Sequence, residues 1–266
     1  MSQTAEKIQA PAQWAELLHQ AVTVPGIMSK AYQAFHNYSV GNMILLVHQL
    51  RARGMDLGPI ATYKGWQKKG LQVKRGERSL MLCQPQQKVI KNPEGEIEKA
   101  WTAFQYKLGW FTIHQTDANF VDFPAPPEWN LQQALVRLDI RIEPFKLLDG
   151  NCQGYAYGKT IALNPVAEQP IKTAIHEIAH IVLGHTTELM GHTDQFTPKD
   201  VRELEAEAVA MLLTDALGLG NIEESRAYIQ HWYHGNTVSE RVAQRIFTAA
   251  QKILTAGRPL ESKEEG

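Results

Sequence analysis

The chain has 266 residues, 44% hydrophobic and 21% charged, enough apolar material for one large or two modest domains, and this excludes wholesale disorder. With 27 Lys+Arg against 28 Asp+Glu the net charge is −1, so bulk charge cannot drive nucleic-acid binding and any basic surface must be local. Two distant cysteines, Cys83 and Cys152, exclude a disulfide scaffold or a Cys-rich zinc knuckle, and no apolar run approaches the roughly 18 residues of a membrane span.

In chain order, Trp14, Leu17, Leu18 and Ala21 mark one face of a short helix entered through Pro11, and a second helical stretch surrounds Tyr32 and Phe35. Ser39 sits at the N-cap of a helix over 40–53 that Gly54 closes. Short β-like runs follow at 60–63, 71–74, 80–84, 87–90 and 101–113, with a hairpin turn at Asn92-Pro93-Glu94-Gly95. The proline-rich stretch 122–128 reads as a linker. Beyond it lie a helix at 131–138, strands at 141–148 and 160–163, and helices at 171–183, 199–217, 223–232 and 239–255, before a charged tail at 261–266 expected to fray. Residues 1–125 carry 14 Lys+Arg against 9 Asp+Glu and residues 126–266 carry 13 against 19, so the first half is the one expected to meet an anionic partner.

His176-Glu177-Ile178-Ala179-His180 is an HExxH pattern, which a shuffled chain of this composition holds with a chance of only about 0.03. Residues four apart on a helix lie about 40° apart around its axis, so both imidazoles can reach one ion, and Glu177 stands where a carboxylate can take a proton from water. Zinc, one ion per chain, is the expected cofactor. A third ligand must come from elsewhere. His185 follows His180 by five residues, where the long zincin consensus needs six with a glycine one position earlier than Gly184. The better source is the helix holding Glu203, Glu205 and Glu207. We assign Glu203 as ligand and Glu207 as the carboxylate that holds an imidazole by its other ring nitrogen, with the reverse assignment left open and Glu205 pointing away. Residues 155–164 read as strand, either an exposed edge for an extended peptide or an interior strand. Tyr228, His231, Tyr233 and His234 are available to stabilise an oxyanion.

Residues 63–78 hold six cations against one anion, interleaved with Tyr63 and Trp66. Cations that track phosphates and rings that stack on unpaired bases suit single-stranded nucleic acid. Tyr63, Lys64, Trp66, Lys68, Lys69, Lys74, Arg75 and Arg78 are therefore the candidate DNA-binding residues, a solvated basic hairpin with a core Trp66 being the bland alternative.

Tyr38-Ser39 with Asn42 and Leu45-Leu46, Ala61-Thr62-Tyr63-Lys64-Gly65-Trp66 and Val73-Lys74-Arg75-Gly76-Glu77 resemble the single-stranded-DNA-binding domain of the ArdC family of plasmid antirestriction proteins. The HExxH segment, residues 203–210 and Leu217-Gly218-Leu219 resemble that family's zincin-like domain and the ImmA/IrrE metallopeptidases, whose Glu-x-x-Ala pattern falls on Glu203 and Ala206. The resemblance implies an α+β fold, in which N-terminal helices plus a small antiparallel sheet (1–123, single-stranded-DNA-binding) precede a zincin-like α+β metallopeptidase domain (129–258). It also implies His176, His180 and Glu203 as ligands, Glu177 as catalytic glutamate and DNA contact around Trp66. The expected function is a cytoplasmic, zinc-dependent peptidase placed on single-stranded DNA, with a protein substrate and no membrane partner. Alternatives are a protein that shields DNA without proteolysis, a DNA-dependent protease acting on DNA-bound proteins, and a repressor-cleaving protease independent of DNA.

Overall fold

A computed structural model describes residues 12–92, 94–118, 125–147, 152–186, 197–233 and 237–259, with Lys91, Trp101 and Tyr233 described by backbone alone. The fold is α+β. Pro11, Pro93, part of the 122–128 linker, Leu148, His234 and the 261–266 tail lie outside the described residues.

By packing, the chain divides into two compact units, Met1–Gln13 with Leu45–Phe123, and Trp14–Ile44 with Pro124–Gly266. These packing units do not follow the expected sequence domains, 1–123 and 129–258. Helices α1 (Trp14–Thr23) and α2 (Ile27–Phe35) belong with the C-terminal elements, and the boundary falls inside α3 (Val40–Ala52). The physical reason is a set of long-range caps on helix starts. Glu240 accepts from the Trp14 and Ala15 N–H groups at 2.9 Å each, Asp215 from the Met28 N–H at 3.2 Å, and Gln251 from the Val40 N–H at 2.8 Å. Gly41 is glycine because the Trp14 ring lies against it: an added Cβ would meet that ring at 2.8 Å.

In the first unit, β1 (Ile60–Thr62), β2 (Leu80–Lys91) and β3 (Ile97–Thr112) form an antiparallel sheet in the order β1-β3-β2, with the helix α4 (Tyr63–Lys68) following β1. The sequence suggests separate strands at 80–84 and 87–90, but one strand runs through both. Pro85 is tolerated because β2 is an edge strand, with one side free of ladder bonds. The expected strand at 71–74 reduces to a single bridge, Val73 to Thr116.

In the second unit, α5 (Leu131–Leu138) is capped by Asn130, whose side chain accepts from the Gln133 N–H at 2.9 Å. Strands β4 (Arg141–Ile142), β5 (Gly154–Tyr157) and β6 (Thr160–Leu163) pair in the order β4-β6-β5, so β6 is interior and β5 an edge. Four helices complete the unit: α6 (Pro170–Val182), α7 (Lys199–Leu217), α8 (Glu223–Tyr233) and α9 (Glu240–Gly257). Pro170 opens α6 at a position where a missing N–H costs nothing. Ala174, Ile175, Ile178 and Ala179 on α6, and Leu204, Ala206, Ala208 and Val209 on α7, are fully buried or nearly so, which fixes the two helices side by side.

Candidate metal centre

The α6/α7 pairing brings three donor side chains to one point. His180 Nε2 lies 3.1 Å from His176 Nε2, and Glu203 Oε2 lies 3.6 Å from His176 Nε2 and 3.5 Å from His180 Nε2. Ligands 2.0–2.1 Å from a tetrahedral zinc stand about 3.4 Å apart, so the triangle has the size of one face of such a site. Glu203 has a 40% exposed side chain, so the triangle opens to the outside. Burial alone would lower the His176 pKa, but hydrogen bonds to Glu203 and Glu207 raise it to about 9, and the two imidazoles hold the Glu203 carboxyl far below its ordinary range.

Glu177 follows His176 on α6 and is buried. Burial pushes its pKa above the ordinary carboxylate value, against the opposing pull of His176 and His180. Gly154 on β5 makes room for it. A Cβ there would stand 2.9 Å from Thr173 Cγ2 and 3.2 Å from both Ala162 O and Glu177 Cγ. Sequence reading missed this glycine, whose only signal is its place at the head of the strand before the HExxH helix.

Glu207, one turn beyond Glu203, has Oε2 2.9 Å from His176 Nδ1 and Oε1 3.2 Å from Lys172 Nζ. Burial opposes its ionisation, but His176 and Lys172 hold its pKa down to about 2. The structure therefore brings Glu203 to the Nε2 atoms and Glu207 to the far side of His176. His185 lies outside the donor triangle, against the other nitrogen of His180: His180 Nδ1 is 3.0 Å from His185 Nδ1. Glu205 points away from the triangle and is fully buried.

The triangle forms part of the wall of a cleft of about 680 Å³, also lined by Gly154, Tyr155 and Ala156 of the β5 edge. Both expectations for residues 155–164 thus find a strand, β5 at the edge and β6 inside. Among the four oxyanion candidates, Tyr228 borders His176, Glu203 and Glu207, and burial with these carboxylates raises its pKa. His231 is exposed.

In the first unit, the basic stretch is a short helix and a loop, not the solvated hairpin of the bland alternative. Thr62 caps α4, accepting from the Gly65 N–H at 3.1 Å. Lys64, Lys68, Lys69, Lys74, Arg75 and Arg78 are exposed, as is Tyr63. Trp66 is the correction. Its ring is 0% exposed against Val73 and Ile113, and its Nε1–H donates to Phe111 O at 2.9 Å, so it cannot stack on a base.

Residues 2–109 match the model of the N-terminal domain of anti-restriction factor ArdC, and residues 136–248 match that of the IrrE N-terminal-like domain, peptidase M78. Two crystal structures of antirestriction ArdC protein from the R388 plasmid share the fold at 19% identity. The Mn(II)-bound form has a TM-score of 0.54 over 91% of this chain and 96% of that one, and the metal-free form 0.50 over 92% and 94%. The chain thus joins an ArdC-type N-terminal domain to an IrrE-like peptidase M78 domain, and its fold is that of the R388 antirestriction protein. No curated protein matches the chain. The ArdC-type match extends through α1 and α2, which belong to the second unit, so the sequence domain and the packing unit differ. Among the described residues, no helix is long and apolar enough to cross a membrane.

Proposed function

We propose that this chain is a cytoplasmic, single-stranded-DNA-associated zinc metallopeptidase of antirestriction type. The observation that carries the reading is the convergence of His176, His180 and Glu203 beside the buried Glu177, in a cleft bordered by β5, an edge strand among the described residues. His176, His180 and Glu203 would hold one ion per chain. Two imidazoles and a carboxylate suit zinc, and the R388 relative supports a divalent ion through its Mn(II)-bound crystal form. When bound, the ion supplies Lewis-acid polarisation of a carbonyl and acidifies water.

The chain's own residues do the rest. The backbone edge of β5 pairs with an extended protein substrate and sets its register across the cleft. Glu177 accepts the proton of the attacking water and returns it to the leaving amine. Glu207 holds His176 by Nδ1. In the first unit, Tyr63, Lys64, Lys68, Lys69, Lys74, Arg75 and Arg78 form the DNA contact, by charge on phosphates and by the Tyr63 ring on a base.

The test is Glu177→Gln in metal-loaded protein. Hydrolysis of an unfolded protein substrate, with single-stranded DNA present, should fall by about 10²–10⁴ while DNA binding stays unchanged. If instead wild type hydrolyses nothing, and wild type and the Glu177→Gln variant bind DNA and block restriction cleavage equally well, the reading moves to DNA shielding without proteolysis.

A further inference from the structure

A buried chain of polar groups runs away from the candidate metal centre and takes no part in the hydrolysis proposed above. His180 Nδ1 lies 3.0 Å from His185 Nδ1, His185 Nε2 lies 2.9 Å from Glu205 Oε2, and Arg245 NH2 of α9 lies 3.4 Å from that same oxygen. The His185 side chain is 4% exposed and that of Glu205 0%. Local backbone geometry puts His185 there. Gly184, at φ +80°, turns the chain out of α6, and the His185 N–H then donates to His180 O at 2.8 Å, folding one ring against the other. Arg245 also donates to Leu183 O at 3.1 Å, fastening the same turn to α9.

We infer that His185, backed by Glu205 and Arg245, is the positioning residue that fixes the tautomer and ring orientation of His180. The inference rests on His176, His180 and Glu203 holding a metal, and it follows from proton positions. If His180 turns Nε2 to the ion, its proton sits on Nδ1 and must be donated. His185 Nδ1 is the atom in reach, so it accepts, and the His185 proton sits on Nε2 and is donated to the Glu205 carboxylate. Each bond leaves one possibility for the next, and Arg245 balances the charge at the end. His176 donates to Glu207 directly, so both imidazoles have a carboxylate behind them, one of them reached through a second histidine. The cost of this arrangement argues against mere packing. Glu205 Oε1 has no hydrogen-bond partner among the described residues, a destabilising position for a fully buried carboxylate that an apolar residue would relieve.

The test uses the full chain and Zn2+ in competition with a chromophoric chelator, for wild type, His185→Phe and His185→Asn. The melting temperature of each metal-free protein is recorded alongside. Phe keeps the ring's volume but takes the acceptor from His180 and the donor from Glu205, so metal-free melting should drop alike in Phe and Asn while affinity falls by about 10–100-fold in Phe alone. Asn restores an acceptor near the Nδ1 position and should recover most of the affinity. If Phe does not fold, His185→Ala takes its place. Unchanged affinity in the Phe or Ala protein overturns the inference, as does a loss that Asn leaves uncorrected or that follows metal-free melting from variant to variant. A wild-type chain that binds no Zn2+ refutes the metal reading itself, which is a different result from wild-type binding that is indifferent to residue 185.

Discussion

Glu207 Oε2 lies 2.9 Å from His176 Nδ1, on the far side of the imidazole from the Nε2 atom that meets His180 and Glu203. The carboxylate therefore dictates which nitrogen of His176 is free to face a metal. Replacing Glu207 with Ala should leave the three donors in place yet weaken metal affinity by about 10–100-fold, measured by chelator competition. Affinity unchanged in that variant would show that His176 needs no such partner.

Gly154 yields a second prediction, because its missing side chain is what lets β5 lie against Glu177. Gly154→Ala should shift Glu177 and reduce peptide hydrolysis by up to about 10²-fold, at a stability cost of about 1–3 kcal/mol, with metal content unchanged. Hydrolysis at the wild-type rate would mean that Glu177 tolerates displacement or does not act.

Trp66 and its neighbours should behave in opposite ways. Trp66→Ala empties a core position and should destabilise the protein by about 3–5 kcal/mol, read by denaturant unfolding. The pair Lys68→Ala and Lys69→Ala should leave stability unchanged and weaken single-stranded-DNA binding. The slope of log affinity against log salt should become shallower by about 0.7 for each phosphate no longer neutralised. A salt slope identical to wild type would remove these lysines from the interface.

These contrasts show which features the sequence made legible. The HExxH spacing, the Glu203/Glu207 pair one turn apart, and the Ser39 cap, whose hydroxyl accepts from the Asn42 N–H at 3.4 Å, are local patterns, and local patterns survive folding. The core role of Trp66 was legible only as the bland alternative to base stacking. Six cations around a ring look like a stacking platform, but Thr62 starts a helix of six residues that turns the ring inward and leaves the lysines outside. The placement of α1 and α2 was hidden. It depends on Glu240, Asp215 and Gln251, roughly two hundred residues away, and no neighbouring residue records that. His185 was legible as metal-adjacent. Its actual contact depends on the positive φ of Gly184, which spacing alone does not encode.

Cys83 provides a check on the first unit by pH. Burial pushes its thiol pKa up to about 11 from an ordinary value of 9.0, so the folded state keeps a proton that the unfolded state releases. That contribution to stability is intact below pH 9 and is lost as pH rises through 11. Folded protein at a pH of about 8 should therefore leave Cys83 unalkylated by iodoacetamide, and denaturant should expose it. Rapid alkylation of Cys83 in the native protein would contradict its burial.

The most direct test of the central claim is metal content, measured by elemental analysis on purified wild type and Glu203→Ala after loading with Zn2+ and desalting. The account predicts one ion per chain in wild type and none retained in the variant, with salt-sensitive DNA binding surviving in both. Zinc retained at full occupancy without Glu203, or no zinc in wild type, would contradict it.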